Sequence, residues 1–280
     1  MIPLKDHNPT HRRPVVTLLL LAVNIGVFFL LQPQDTSTRA GAIESIRFNY
    51  EFAAVPCEII EGRPLSIAEI EATVSTGQDL CLSDEELARV PAGRREAPYP
   101  GKRVWVAMVT SMFLHGGLLH LGGNMLFLWI FGNNIEDHLG HVRYILFYLA
   151  GGVVATLAHV AVAPDSSVPL VGASGAIAAV MGAYLAWFPR ARIHTIIVFF
   201  LITFVEIEAR WLLGFWLLSQ FFIGNESGVA WMAHVGGFVF GFGIGMLVRS
   251  SRAALRATWA RDWDDPFRPT PPPGRLRRRY

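Results

Sequence analysis

Residues 104–248 hold only 10 of the chain's 46 charged residues in 145 positions, whereas the other 135 positions hold 36. A soluble fold needs charge along its whole length to present a wet surface, and about a quarter of an ordinary globular domain is charged. A stretch this long and this bare is stable only with lipid around it. The rest of the composition narrows the class further. At 52% hydrophobic residues the chain is far from disorder, and two cysteines are too few for a disulfide scaffold. A net charge of +2 offers no basic face for nucleic acid. The partner these residues are built for is the lipid bilayer. The fold class expected is an all-α polytopic membrane protein.

A bilayer core of about 30 Å takes roughly 20 apolar helical residues. Residues 15–31 form the first span, closed by Gln32 and Pro33. Arg12 and Arg13 before it resemble the start of a secretory signal, but no small-x-small cleavage site follows directly, which favours a retained span. Residues 104–132 are apolar over 29 positions, about 43 Å as one helix, which is too long. Gly116-Gly117 is the natural break. Residues 104–115 then make an apolar arm at the interface, and the second span starts at Leu118. Residues 142–163 and 168–188 are spans three and four, the latter ended by Pro189-Arg190.

Glu206, Glu208 and Arg210 interrupt the next apolar run. Burying three charges mid-membrane is expensive, so residues 193–205 are expected as an interfacial or re-entrant piece and residues 209–222 as a short fifth span. The sixth is 229–248. Residues 1–13 carry +2, residues 189–192 carry +2 and residues 249–280 carry +6, against −4 in residues 32–103. The positive-inside rule puts both termini in the cytoplasm and the long first loop outside. The resulting plan is a cytoplasmic N-terminus (1–14), a first span (15–31), a long outer loop with its apolar arm (32–117), spans two to six (118–248), and a flexible basic cytoplasmic tail (249–280). Cys57 and Cys81 both fall in the outer loop. An exported compartment permits a disulfide there, and two free thiols are the alternative.

Few polar side chains remain inside the spans: His115, His120, Asn124, His159, Ser174 and His234. A lone polar residue in a membrane helix is usually a hydrogen bond between helices, which suits His159 and His115. The other four share a depth. Ser174 lies in the first turn of span four, and His234 about six residues, roughly 9 Å, into span six. His120 and Asn124, spaced i, i+4, point the same way one to two turns into span two. A serine hydroxyl becomes a nucleophile when a histidine takes its proton. Ser174 and His234 suit those roles, with the Ser174 backbone N–H, His120 and Asn124 as donors to an oxyanion. No Asp or Glu lies at a matching depth, so a Ser-His dyad is expected. Gly172, Gly175 and Gly182 on span four, and Gly237, Gly241 and Gly245 on span six, let helices approach closely.

Three segments together carry a resemblance: Gly172-Ala173-Ser174-Gly175, Ala233-His234-x-x-Gly237-x-x-x-Gly241, and His115-x4-His120-x3-Asn124. With them the chain resembles the rhomboid family of intramembrane serine proteases over most of residues 104–248. The resemblance implies a six-helix bundle around a water-filled cavity open to the outside. It makes Ser174 the nucleophile, His234 the general base, and His120 and Asn124 the oxyanion stabilisers. Gly172, Gly175, Gly237 and Gly241 become packing positions, and span five the entry gate. The substrates implied are membrane helices of other proteins in a cell membrane of bacterial type, with no cofactor and no metal. Some members carry a tyrosine four residues after the nucleophile, where this chain has Ala178, so another group must orient His234. A Trp-Arg pair of some outer loops is not evident, and the acidic 32–103 loop has no match. The alternative is a catalytically silent relative that binds membrane helices. No convincing internal repeat suggests a transporter, and no His-Glu-x-x-His suggests metal proteolysis.

Overall fold

The structure is a computed structural model that describes residues 1–77, 79–198, 202–222 and 230–263, with side chains of the last helix as far as Arg249. Twelve helices are seen among these residues. In chain order they are α1 (Val15–Leu30), α2 (Arg39–Phe52), α3 (Pro56–Glu61), α4 (Ile67–Thr76), α5 (Asp84–Leu87) and α6 (Ala92–Arg95). They continue as α7 (Val104–Thr110), α8 (Leu118–Leu139), α9 (His141–Val160), α10 (Ser174–Trp187), α11 (Ala209–Gln220) and α12 (Trp231–Trp263). The chain is an all-α polytopic membrane protein whose bundle is α1 and α8–α12. Helix α9 and the Trp231–Arg249 stretch of α12 are long and apolar enough to cross a bilayer alone, while α1 and α10 are apolar but shorter.

Helix α10 is the axis of the bundle. Eleven of its 14 residues are buried, with its small side chains Gly175, Ala176, Ala178, Ala179, Gly182 and Ala183 facing α8, α9 and α12. The α12 glycines meet it almost backbone to backbone. A Cβ on Gly237 would lie 2.2 Å from the Gly175 carbonyl oxygen, and one on Gly241 only 1.8 Å from that of Ala179. Contact this close leaves no room for any side chain, which fixes how α12 sits against α10.

Between Val104–Phe113 and α8 the chain bends by 84°. Gly117, at φ 154° and ψ 172°, occupies backbone space that only glycine enters without strain. At the opposite end of α8, the buried Glu136 carboxylate accepts from the Val16 and Thr17 backbone N–H groups, both at 2.8 Å. It thereby satisfies the first turn of α1, where the positive end of the helix favours an anion.

The described part of residues 193–205, expected as an interfacial or re-entrant piece, is extended chain. Residues 192–198 and 202–208 form β2 (Arg192–Val198) and β3 (Ile202–Glu208), which pair antiparallel, and β1 (Ile2–Asp6) adds to β2 as a third antiparallel strand. Ile193, Thr195, Ile196, Ile197 and Val198 in β2, with Ile202, Thr203, Val205 and Ile207 in β3, are β-branched and fit a pleated surface better than a helix. The charges that interrupted the apolar run become cross-strand and end pairs. Arg192 stands opposite Glu208 and bonds Glu206 at 3.3 Å, while Arg210 meets Glu208 at 2.8 Å. The sheet packs on the helical bundle, with Ile193 fully buried in the main core and Ile207 against it. Buried Asp6 fastens it to α8 and α10 through Asn134 and the Tyr184 hydroxyl, the latter at 2.9 Å.

The long loop is a small folded unit of α2–α6. Cys57 and Cys81 form a disulfide with Cα atoms 5.7 Å apart. Arg63 grips the Glu69 carboxylate through two 3.0 Å bonds, and buried Lys102 pairs with buried Glu58. Helix α12 runs on to Trp263, past the start expected for the tail at residue 249. Residues 264–280 of that tail, and residue 229 at the start expected for the sixth span, lie outside the described residues.

Candidate active site

Ser174 is the first residue of α10, so its backbone N–H belongs to a helical first turn whose donors have no partner within the helix. The segment that delivers it is held from several sides. Cys57 N–H donates to the Ser166 carbonyl at 2.9 Å, Leu170 N–H to Ala54 at 2.7 Å, and Gly172 N–H to Ser111 at 3.0 Å. Buried Ser167 is bonded by Tyr50 through its carbonyl, by Thr73 through its hydroxyl, and by Asp79 through both its N–H and hydroxyl. The disulfide-closed unit of α2–α6 is therefore the rack on which the chain entering α10 is mounted.

His234 stands in the first turn of α12. Its Nε2 is 2.8 Å from Ser174 Oγ, a hydrogen bond across 60 residues of sequence. Its Nδ1 is 2.7 Å from Gln220 Oε1 at the end of α11, and the Trp216 ring lies 5.8 Å from the imidazole. Ala178 is fully buried four residues beyond Ser174 and offers no polar atom. Gln220 was not among the residues singled out from the sequence, where only Asp and Glu were sought as a third member. A glutamine in a short apolar helix was the available signal.

His120 and Asn124 come from α8 to the same cavity, which has a volume of about 800 Å³ and is also lined by Ser174, His234, His159 and Asp79. The Gly116 N–H donates to His120 Nδ1 at 3.2 Å, so in the neutral ring the proton is on Nε2. That Nε2 would lie 2.8 Å from a Cβ on Gly172, and Ser174 Oγ 3.6 Å from the same point. Gly172, at φ 129°, is thus a position where positive φ and the closeness of an imidazole both exclude a side chain, rather than a helix-packing glycine. Asn124 is 7% exposed, and its Nδ2 has no hydrogen-bond partner among the described residues. It is a donor held ready, lining a cavity.

His115 and His159 do not make the helix-to-helix hydrogen bonds expected of them among the described residues. The buried His115 ring sits edge-on to His120 at 5.2 Å with neither nitrogen bonded, and Gln32 holds its backbone from both sides. His159 lines the cavity with its buried Nδ1 unpartnered. Gly175, Gly237 and Gly241 lie where α10 meets α9 and α12. The grouping of metal-ligand types among the described residues is elsewhere: His7, His194 and Glu206 on the sheet, with ligand atoms within 4.8 Å of one another. Glu206 there is already paired with His7 and Arg192.

Comparison with known proteins agrees with this architecture. The rhomboid domain family model matches residues 102–251. The chain is 36% identical to Rhomboid protease GluP of Bacillus subtilis over 96 residues, covering 34% of this chain and 18% of that protein. It is 32% identical to mouse Rhomboid-related protein 2 over 187 residues, 64% of this chain and 55% of the relative. Bovine presenilin-associated rhomboid-like protein, a mitochondrial protein, is 36% identical over 91 residues, 32% of this chain and 24% of the relative. The chain thus spans between about a fifth and about half of the length of these relatives. With the family match covering more than half of its residues, the chain belongs to the rhomboid family.

Proposed function

We propose that this protein is an intramembrane serine endopeptidase that cleaves transmembrane segments of other membrane proteins by a Ser-His mechanism. The observation that carries the reading is the 2.8 Å contact of Ser174 Oγ with His234 Nε2 beside a cavity lined by the unpartnered amide of Asn124. His234 Nε2 takes the hydroxyl proton as Oγ attacks the scissile carbonyl carbon. Negative charge then grows on the carbonyl oxygen. Asn124 Nδ2–H, His120 Nε2–H and the Ser174 backbone N–H are the donors for it, and preorganised donors of this kind are usually the largest catalytic contribution. The tetrahedral adduct collapses as His234 returns the proton to the leaving amine. Water, activated by the same imidazole, attacks the acyl-serine, and the proton passes back to Ser174 Oγ. Hydrolysis within a bilayer needs water at the scissile bond, and a cavity of about 800 Å³ to which Ser174, His234, His120, Asn124 and Asp79 bring polar groups suits it.

The rest of the reading follows the family. Residues 15–248 form one unit of six spans, with both termini in the cytoplasm, in a bacterial plasma membrane. Relatives include mitochondrial proteins, so the compartment is part of the proposal. Helix α11, only 12 residues long, is the entry gate for the substrate helix. The test is cleavage of a reporter transmembrane substrate in proteoliposomes. Wild type is expected to cut, and Ser174→Ala to leave the reporter intact. Equal cleavage by both would overturn the assignment, and no cleavage by either would favour a silent binder of membrane helices.

A further inference from the structure

We infer that Gln220 is the positioning residue of the catalytic histidine, a neutral third member in the place where other serine hydrolases carry a carboxylate; this rests on the protease reading above. The side chain is 4% exposed, at the end of α11, and its hydrogen bonds determine which way the amide faces. Its Nε2 lies 3.0 Å from the Trp216 carbonyl and 3.2 Å from Ser219 Oγ. A carbonyl only accepts, and the Ser219 hydroxyl hydrogen is already given to that same carbonyl at 2.6 Å, so Ser219 Oγ also accepts here. Both contacts therefore require N–H groups. Turning the amide over would set Oε1 against two acceptors.

With the NH₂ so placed, Oε1 is the atom 2.7 Å from His234 Nδ1. An amide oxygen can only accept, so Nδ1 carries the proton. In the neutral ring Nε2 then holds the lone pair, and Nε2 is the atom 2.8 Å from Ser174 Oγ. One glutamine thus selects the tautomer that can act as a base and fixes the plane of the ring. It also supplies an acceptor for the imidazolium that forms during attack. Ala178 leaves the other side of the site without a polar group to do this. The arrangement parallels triads in which the third group orients the base without taking its proton.

The experiment uses the full chain in proteoliposomes, with Ser174→Ala beside Gln220→Leu and Gln220→Glu. Wild type cutting and Ser174→Ala not cutting establishes the protease reading independently. Within it, Gln220→Leu is expected to lower kcat about 10- to 100-fold with KM within about twofold, because a wrong or rotating tautomer spoils the base and leaves substrate docking intact. Gln220→Glu, which keeps the acceptor and adds charge, is expected to restore most of kcat. It should also displace the acidic limb of the pH–rate profile to higher pH, since a carboxylate favours the imidazolium. A Gln220→Leu kcat equal to wild type would overturn the inference. So would a Gln220→Glu profile that coincides with wild type, and that result decides the matter even if Gln220→Leu fails to fold.

Discussion

Placing a methyl group on Gly241 tests whether backbone contact between two helices sets the geometry of the site. The Cβ of Gly241→Ala would fall 1.8 Å from the Ala179 carbonyl oxygen and 2.5 Å from its carbon, where ordinary contact begins near 3.4 Å. The obstacle is backbone inside a buried helix, so α10 and α12 must part by about 1.5 Å. Ser174 lies five residues from Ala179 and His234 seven from Gly241, about 7.5 and 10 Å along their helices. If half the displacement reaches them, the 2.8 Å bond between Oγ and Nε2 stretches to about 3.5 Å, the end of hydrogen-bond range. Overpacking of this kind costs about 1–3 kcal/mol of stability. Misplacing reacting groups by about 1 Å costs roughly 10²-fold in rate. The assay is cleavage of a reporter substrate alongside thermal unfolding in detergent. Gly243→Ala is the control, because a Cβ there meets nothing within 4 Å. Wild-type cleavage by Gly241→Ala would refute the argument that helix contact positions the pair.

Three further perturbations probe the site and its rack. Asn124→Ala removes one oxyanion donor and is expected to lower kcat about 10²-fold with little change in KM; an unchanged kcat takes Asn124 out of the mechanism. Replacing Cys57 and Cys81 by serine opens a loop whose ends are 24 residues apart, which in the chain-entropy model destabilises the α2–α6 unit by about 3–4 kcal/mol. Limited proteolysis of that unit should quicken, and equal rates would contradict the role given to the bridge. Glu69 concerns pH. Burial raises its carboxyl, but Arg63 and the Leu82 and Ser66 donors outweigh that and hold it below the ordinary range. A carboxylate lowered on folding stabilises at pH above its unfolded value of about 4.3, and the benefit disappears as pH falls through the lower folded value. Hydrogen-exchange protection around residues 63–82 should therefore drop on acidification below about pH 4, with the drop smaller in Glu69→Gln. Identical profiles would contradict this.

What could be read from the sequence was set by contrast. In an apolar background Ser174, His234, His120 and Asn124 stand out, and the structure places all four around one cavity. Glycines were legible where a backbone must turn or touch another, as at Gly117 and Gly241. The antiparallel pair β2 and β3 was hidden because residues 193–205 are as apolar as a membrane segment; their β-branched composition was the better indicator than their hydropathy. Glu136 and Gln220 were hidden for another reason. Each acts through a partner more than ten residues away, Thr17 in one case and His234 in the other, and no local pattern encodes such a pairing. The mounting of the Ser166–Leu170 segment on the α2–α6 unit is likewise a long-range matter, joining Ala54, Cys57 and Asp79 to a stretch about a hundred residues away.

The central claim is that Ser174 is a hydroxyl activated by His234. Labelling with a fluorophosphonate, followed by peptide mapping, reads this directly in the absence of any substrate. The account predicts a single covalent adduct on Ser174 in the wild-type protein, lost in His234→Ala and in Ser174→Ala. A wild-type protein that takes up no label at Ser174, or a His234→Ala variant labelled there as fast as wild type, would contradict it.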